Sequence, residues 1–123
     1  MILAIDFDGT CVTSDYPKIG KDIGAVPILK KLVKSGHKLI LNTMRSGKEL
    51  QDAVNWFNRN KIPLYGINEN PTQSRWTTSP KVYADFYLDD AAIGAPLKFD
   101  MSLSNHPFID WNQVADFFGE ILN

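Results

Sequence analysis

The chain has 123 residues, of which 44% are hydrophobic and 22% charged, and carries a net charge of −1. That length suits one domain around one core. The near-neutral balance supplies no general electrostatic footprint for nucleic acid or an anionic membrane. Cys11 is the sole cysteine, which rules out an intrachain disulfide and fits a reducing, cytoplasmic setting. The first apolar run starts so near Met1 that no room for a signal peptide is expected. No apolar run approaches membrane-spanning length, so no membrane partner is expected either.

In chain order, Ile2 to Ile5 reads ILAI, too continuous for a half-exposed strand and suited to one covered on both faces, as in a parallel sheet. A polar loop with Pro17 and Gly20 follows. Ile23, Val26, Leu29, Leu32 and Val33 then recur at helical spacing, with Pro27 near the first turn and Gly36 as the stop. Residues 38–42, KLILN, read as a second strand. A second helix opens at Ser46, which with Glu49 forms a possible capping box, and Leu50, Val54 and Phe57 give it an apolar stripe. IPLYGI is a short third strand, residues 68–80 a polar loop, and VYADFYL a fourth strand ending in Asp89 and Asp90. After a further loop, Asp110 caps a last helix that Gln113 supports as another capping box, and that helix is expected to pack on the sheet; the stretch from Lys98 carries no legible motif.

Strands alternating with helices argue for βαβ units in an α/β fold, a three-layer Rossmann-like domain with a mainly parallel central sheet. Ligands in such sheets gather beyond the carboxyl ends of the strands. The polar residues expected there are Asp6 and Asp8 after strand one, Thr43 after strand two, Lys81 just before strand four and Asp89-Asp90 after it. Four carboxylates at one sheet edge repel one another unless a cation or a shared proton intervenes. Mg²⁺ suits them best, being hard and oxygen-seeking, and no Cys/His cluster points to zinc.

Asp6-Phe7-Asp8-Gly9-Thr10 matches DxDGT, and with Thr43, Lys81 and Asp89-Asp90 in that order the chain resembles the haloacid dehalogenase superfamily of phosphohydrolases. The resemblance implies that Asp6 is the nucleophile of an aspartyl-phosphate mechanism and Asp8 the general acid and base. It further implies that Mg²⁺ is held by Asp6, the Asp8 backbone carbonyl and an Asp89 or Asp90 carboxylate, Asp89 being favoured. Thr43 and Lys81 would bind the phosphoryl oxygens, and Gly9 would let the backbone turn closely around them. Dehalogenases of the superfamily lack an acid at the position of Asp8, and P-type ATPases carry Thr there, so the branch implied is a phosphatase or phosphotransferase.

Neither long connection has room for a folded cap, so the chain resembles the capless members. Their open sites take a small or macromolecular phosphate ester, or borrow a lid from a second subunit. Thr10, Arg45, Tyr16, Lys18, Glu69, Gln73, Arg75 and Trp76 are the candidates for contact with substrate, Arg45 toward phosphate and Arg75-Trp76 toward a base or sugar. Cys11 is expected to be a small buried residue beside the site, and His37 and His106 structural or exposed. A receiver domain of two-component signalling uses similar residues in another order. A metal- and phosphate-binding module without turnover keeps the same residues and stays open as the alternative.

Overall fold

The computed structural model describes residues 1–122, with side chains for residues 1–119. The order is β1 (Ile2–Ile5), α1 (Ala25–Lys34), β2 (Lys38–Leu41), α2 (Gly47–Arg59), β3 (Gly66–Ile67), a 3-10 turn (Gln73–Arg75), β4 (Phe86–Leu88), β5 (Leu97–Lys98), β6 (Phe108–Ile109) and α3 (Trp111–Leu122). The main sheet runs β3-β2-β1-β4, and every pairing in it is parallel. The continuous apolar runs ILAI and LIL thus occupy the two central strands, as their composition demands. A small antiparallel ribbon pairs β5 with β6. No helix of the described residues is long and apolar enough to cross a membrane.

The two faces of the sheet are covered differently. Leu3 and Ile5 of β1 and Leu39 and Leu41 of β2 point into one core with Ala25, Leu29 and Leu32 of α1, Ala53, Trp56 and Phe57 of α2, and Trp111 and Val114 of α3. On the same face Phe86 of β4 meets Phe117 and Phe118 edge-on, at 5.4 and 5.9 Å between ring centroids. The opposite face carries Ala4, Ile40, Gly66 and Tyr87, which are cross-strand neighbours. Ala4 and Ile40 are fully buried there without joining the helical core. Their cover is the segment that crosses from β3 to β4. A side chain on Gly66 would overlap the Glu69 carbonyl, and the Tyr87 hydroxyl donates to the Val82 carbonyl at 2.7 Å. The expected third layer is therefore an irregular strap with one 3-10 turn rather than a helix.

Several elements depart from their expected limits. The third and fourth strands are shorter than the apolar runs that announce them: the Tyr65 and Asp85 amides still donate to the Leu39 and Ile2 carbonyls, at 2.7 and 2.8 Å, but the residues before them make no such bond to the neighbouring strand. Ser46 occupies the N-cap of α2 but its side chain makes no capping hydrogen bond. At α3 the Asp110 carboxylate accepts from the Asn112 backbone amide at 3.1 Å, and the Gln113 side-chain Nε2 donates to that carboxylate instead of returning to the backbone of the cap residue.

Candidate active site at the carboxyl edge of the sheet

The parallel ladder continues past β1. The Asp6 amide donates to the Leu88 carbonyl at 2.9 Å and the Asn42 amide to the Ile5 carbonyl at 2.8 Å. Strand alternation then puts Asp6 on the face of Ala4, beside Asp89 on the face of Tyr87. Beyond Asp6 the chain turns sharply: the amides of Thr10 and Cys11 both donate to the Phe7 carbonyl, and Gly9 donates to Val12. Gly9 has φ 78°, and a Cβ there would overlap the Asp90 carboxylate, so both conformation and space require glycine.

Oxygens of Asp6, Asp89 and Asp90 lie within 4.8 Å of one another. The buried Thr10 hydroxyl lies between two of them, 2.9 Å from Asp6 Oδ2 and 3.4 Å from Asp90 Oδ1, and accepts from the Asp90 amide at 3.1 Å. Burial, then the hydrogen bond with Asp90, then the charge of Asp89 push the Asp6 carboxyl up to about 8; the Thr10 hydroxyl opposes them. Asp90 is also raised, first by burial. Without a cation the Asp6–Asp90 pair relieves its repulsion by holding a proton. Cys11, fully buried beside the site as expected, directs its thiol to the Asp6 carbonyl at 3.3 Å. Burial and then the charges of Asp6 and Asp8 hold that thiol far above the usual range.

The Asp8 carboxylate is not part of this cluster. It forms a two-pronged pair with Arg45, Oδ1 to Nη2 at 2.7 Å and Oδ2 to Nε at 2.8 Å. Arg45 is 3% exposed and also donates to the carbonyls of Pro17, Lys18 and Glu49. A guanidinium has five N–H donors, and all five are engaged within the chain. Arg45 thus braces Asp8 and ties the loop at Pro17 to the first turn of α2, with no donor left for a phosphate. Thr43 lies just past β2, its hydroxyl accepting from the Arg45 amide and its own amide donating to Asn68. The Lys81 ammonium stands over the Tyr87 ring, 5.4 Å from its centroid. Neither Thr43 nor Lys81 touches the acidic cluster among the described residues. Of the other candidates, Gln73 is buried in the strap and spends its amide on Ser79, Lys81 and Tyr83, whereas Trp76 is 66% exposed.

One anchor of the site carries no motif in the sequence. From the stretch that carried no motif, the Ile109 amide donates to the Gly9 carbonyl at 3.0 Å and the buried Trp111 indole donates to the Thr10 carbonyl at 2.7 Å. The pattern IDW at the mouth of a helix is its only local trace.

As hard oxygen donors, the three clustered carboxylates fit a divalent cation such as Mg²⁺. The Asp8 carbonyl accepts no hydrogen bond among the described residues.

No family model matches the chain, and no curated protein matches it. A solved structure does: a conserved protein coded by a locus of Bacteroides thetaiotaomicron, 32% identical, with a TM-score of 0.80 over 98% of this chain and 90% of that one. With that identity over nearly the whole of both chains, this protein belongs to the same family as the conserved Bacteroides thetaiotaomicron protein.

Proposed function

We propose that the protein is a Mg²⁺-dependent phosphatase of the haloacid dehalogenase type, hydrolysing a phosphate monoester through an aspartyl-phosphate on Asp6. The observation that carries the reading is the convergence of Asp6, Asp89 and Asp90 to within 4.8 Å at the carboxyl edge of a parallel sheet. Their carboxylates and the Asp8 carbonyl would hold the cation, with Asp89 and Asp90 both close enough to serve. When bound, Mg²⁺ offsets the charge of the clustered acids and of the phosphate.

The chain's own residues then act as follows. An Asp6 oxygen forms a bond to phosphorus as the bond to the leaving oxygen breaks, and Asp8, which has first taken up a proton from solvent while held by Arg45, gives it to that oxygen. Water next attacks phosphorus, Asp8 takes its proton, and Asp6 is released. Arg45 orients Asp8 through both oxygens, each of which keeps a second lone pair for the proton. Thr10 steadies Asp6 against Asp90. The Thr43 hydroxyl and the Lys81 ammonium supply donors for the phosphoryl oxygens, Lys81 by leaving the Tyr87 ring. The resting place of Lys81 favours one competing reading, a module that binds metal and phosphate without turnover.

Hydrolysis of an aryl phosphate, followed with Mg²⁺ and with chelator beside the Asp6→Asn variant, separates the two. Metal-dependent turnover that the variant loses is expected. Activity surviving Asp6→Asn would sink the nucleophile assignment. Mg²⁺ and phosphate binding without turnover on a broad ester panel would select the module. Asp89→Ala and Asp90→Ala should each weaken the Mg²⁺ dependence, and unchanged metal titrations in both would remove the metal site.

A further inference from the structure

The sheet sets a carboxamide beside Asp6 that no motif announces. The Asn42 amide donates to the Ile5 carbonyl at 2.8 Å, so the pairing of β1 with β2 holds one residue past Ile5 and Leu41. Ala4 is matched with Ile40, and two residues further on Asp6 is matched with Asn42. Alternation puts both on the strap-covered face, in neighbouring strands about 4.8 Å apart. Because β1 lies between β2 and β4, Asn42 flanks Asp6 on one side as Asp89 flanks it on the other. The same alternation sends Thr43 to the helix-covered face, where its hydroxyl accepts from the Arg45 amide at 3.1 Å.

The backbone at Asn42 is fixed along both edges of the strand. Its own amide is bound to β1, and the next amide, that of Thr43, donates to Asn68 Oδ1 at 2.8 Å. The Asn42 side chain is half-buried and makes no hydrogen bond among the described residues. No buried side-chain nitrogen or oxygen among them lacks a partner, so the free carboxamide is open to solvent. Other side-chain donors around the cluster are engaged elsewhere. Thr10 donates to Asp6, Arg45 spends all five N–H groups within the chain, and Lys81 rests over the Tyr87 ring. Asn42 Nδ2 has two N–H groups to give and needs no existing bond broken first.

We infer that Asn42 binds the phosphoryl group at Asp6, donating from Nδ2 to one of its oxygens. The inference deepens the phosphatase reading and rests on it for the presence of a phosphoryl group at Asp6. A neutral amide suits the position: it grips an anion without repelling the cation that the three acids would hold, and without adding a fourth charge to them.

The test reads two ligands separately. Wild type, Asn42→Ala and Asn42→Asp are titrated by calorimetry with Mg²⁺ alone, and then with inorganic phosphate in saturating Mg²⁺; turnover of an aryl phosphate and melting in chelator are followed beside them. Asn42→Ala should bind phosphate about tenfold or more weakly, the scale of one hydrogen bond to a charged group. Its Mg²⁺ affinity should stay within about twofold of wild type on the same scale, and its melting should be unchanged. Asn42→Asp should move the two ligands in opposite directions, losing phosphate and binding Mg²⁺ severalfold tighter, because it adds a carboxylate to the cluster. Phosphate affinity unchanged in Asn42→Ala overturns the assignment. So does an equal loss of both ligands, which marks a structural role, or an Asn42→Asp variant with wild-type Mg²⁺ affinity, which places the side chain away from the acids. Metal-dependent turnover with the same KM in wild type and Asn42→Ala overturns it while sparing the phosphatase reading. Phosphate binding that depends on Asn42, in a wild-type protein that hydrolyses nothing, upholds it and defeats that reading. A wild-type protein that binds no phosphate defeats both.

Discussion

Replacing Arg45 with Met should be the most damaging single change outside the acidic cluster. The guanidinium is 3% exposed and satisfies both Asp8 oxygens and the carbonyls of Pro17, Lys18 and Glu49. Methionine fills much of the same volume, so packing against Phe7 survives in part and the loss is chiefly electrostatic. Breaking a buried ion pair by removing one partner costs about 3–5 kcal/mol. The Asp8 side chain is 20% exposed, so water can recover part of its solvation and the lower end applies. The orphaned carbonyls add to that, at roughly 1–3 kcal/mol for each one water does not reach. A net loss of about 3–5 kcal/mol in a chain of this size lowers Tm by roughly 10–20 °C. Urea unfolding of wild type, Arg45→Met, Asp8→Asn and the double variant, all in chelator, gives the pair's coupling energy. An Arg45→Met variant within 1 kcal/mol of wild type, or additive single variants, would refute the brace.

Three further outcomes follow from the same geometry. The folded-state pKa of Asp6, about 8, lies above its unfolded value of 3.8, so the folded state holds the extra proton between those values. In chelator this group's contribution is therefore intact below pH 4 and lost as pH rises through about 8. Asp6→Asn should flatten that fall and melt higher than wild type near pH 8, and parallel melting profiles for the two proteins would contradict it. Trp111→Phe removes the indole bond to the Thr10 carbonyl and leaves a buried acceptor unpaired, for about 1–3 kcal/mol in urea unfolding and weaker Mg²⁺ binding; unchanged values of both would refute the clamp. Gly9→Ala drives a Cβ into the Asp90 carboxylate from a left-handed backbone, and should cost about 1–3 kcal/mol and most of the metal affinity by calorimetry. A variant that binds Mg²⁺ like wild type would show that the turn can relax.

Local pattern was enough for the elements that bury themselves by their own periodicity. ILAI and KLIL are central strands, the stripes of α1 and α2 face the core, and Asp6 and Asp8 follow β1 because a strand covered on both faces expels its charges at its end. The strand ends of β3 and β4 were less legible, since a residue counts as strand only if a neighbouring chain reaches it, and periodicity carries no partner.

The site divides in the same way. That two acids, a glycine and a threonine form one turn is written in adjacent residues, and so is the second acidic pair after β4. Which acid meets which partner is not. Asp8 and Arg45 are 37 residues apart and share a pair; Thr10 and Trp111 are 101 apart and share a hydrogen bond. Asp8 has the same local surroundings as Asp6, yet Asp6 joins Asp89 and Asp90 while Asp8 turns to a guanidinium. Residue types and their spacing along this chain determined where charge collects, because burial is periodic. Only the tertiary structure decided how that charge is shared among a proton, a cation site and a buried arginine, because electrostatic partnership depends on distances in space that the chain order does not encode.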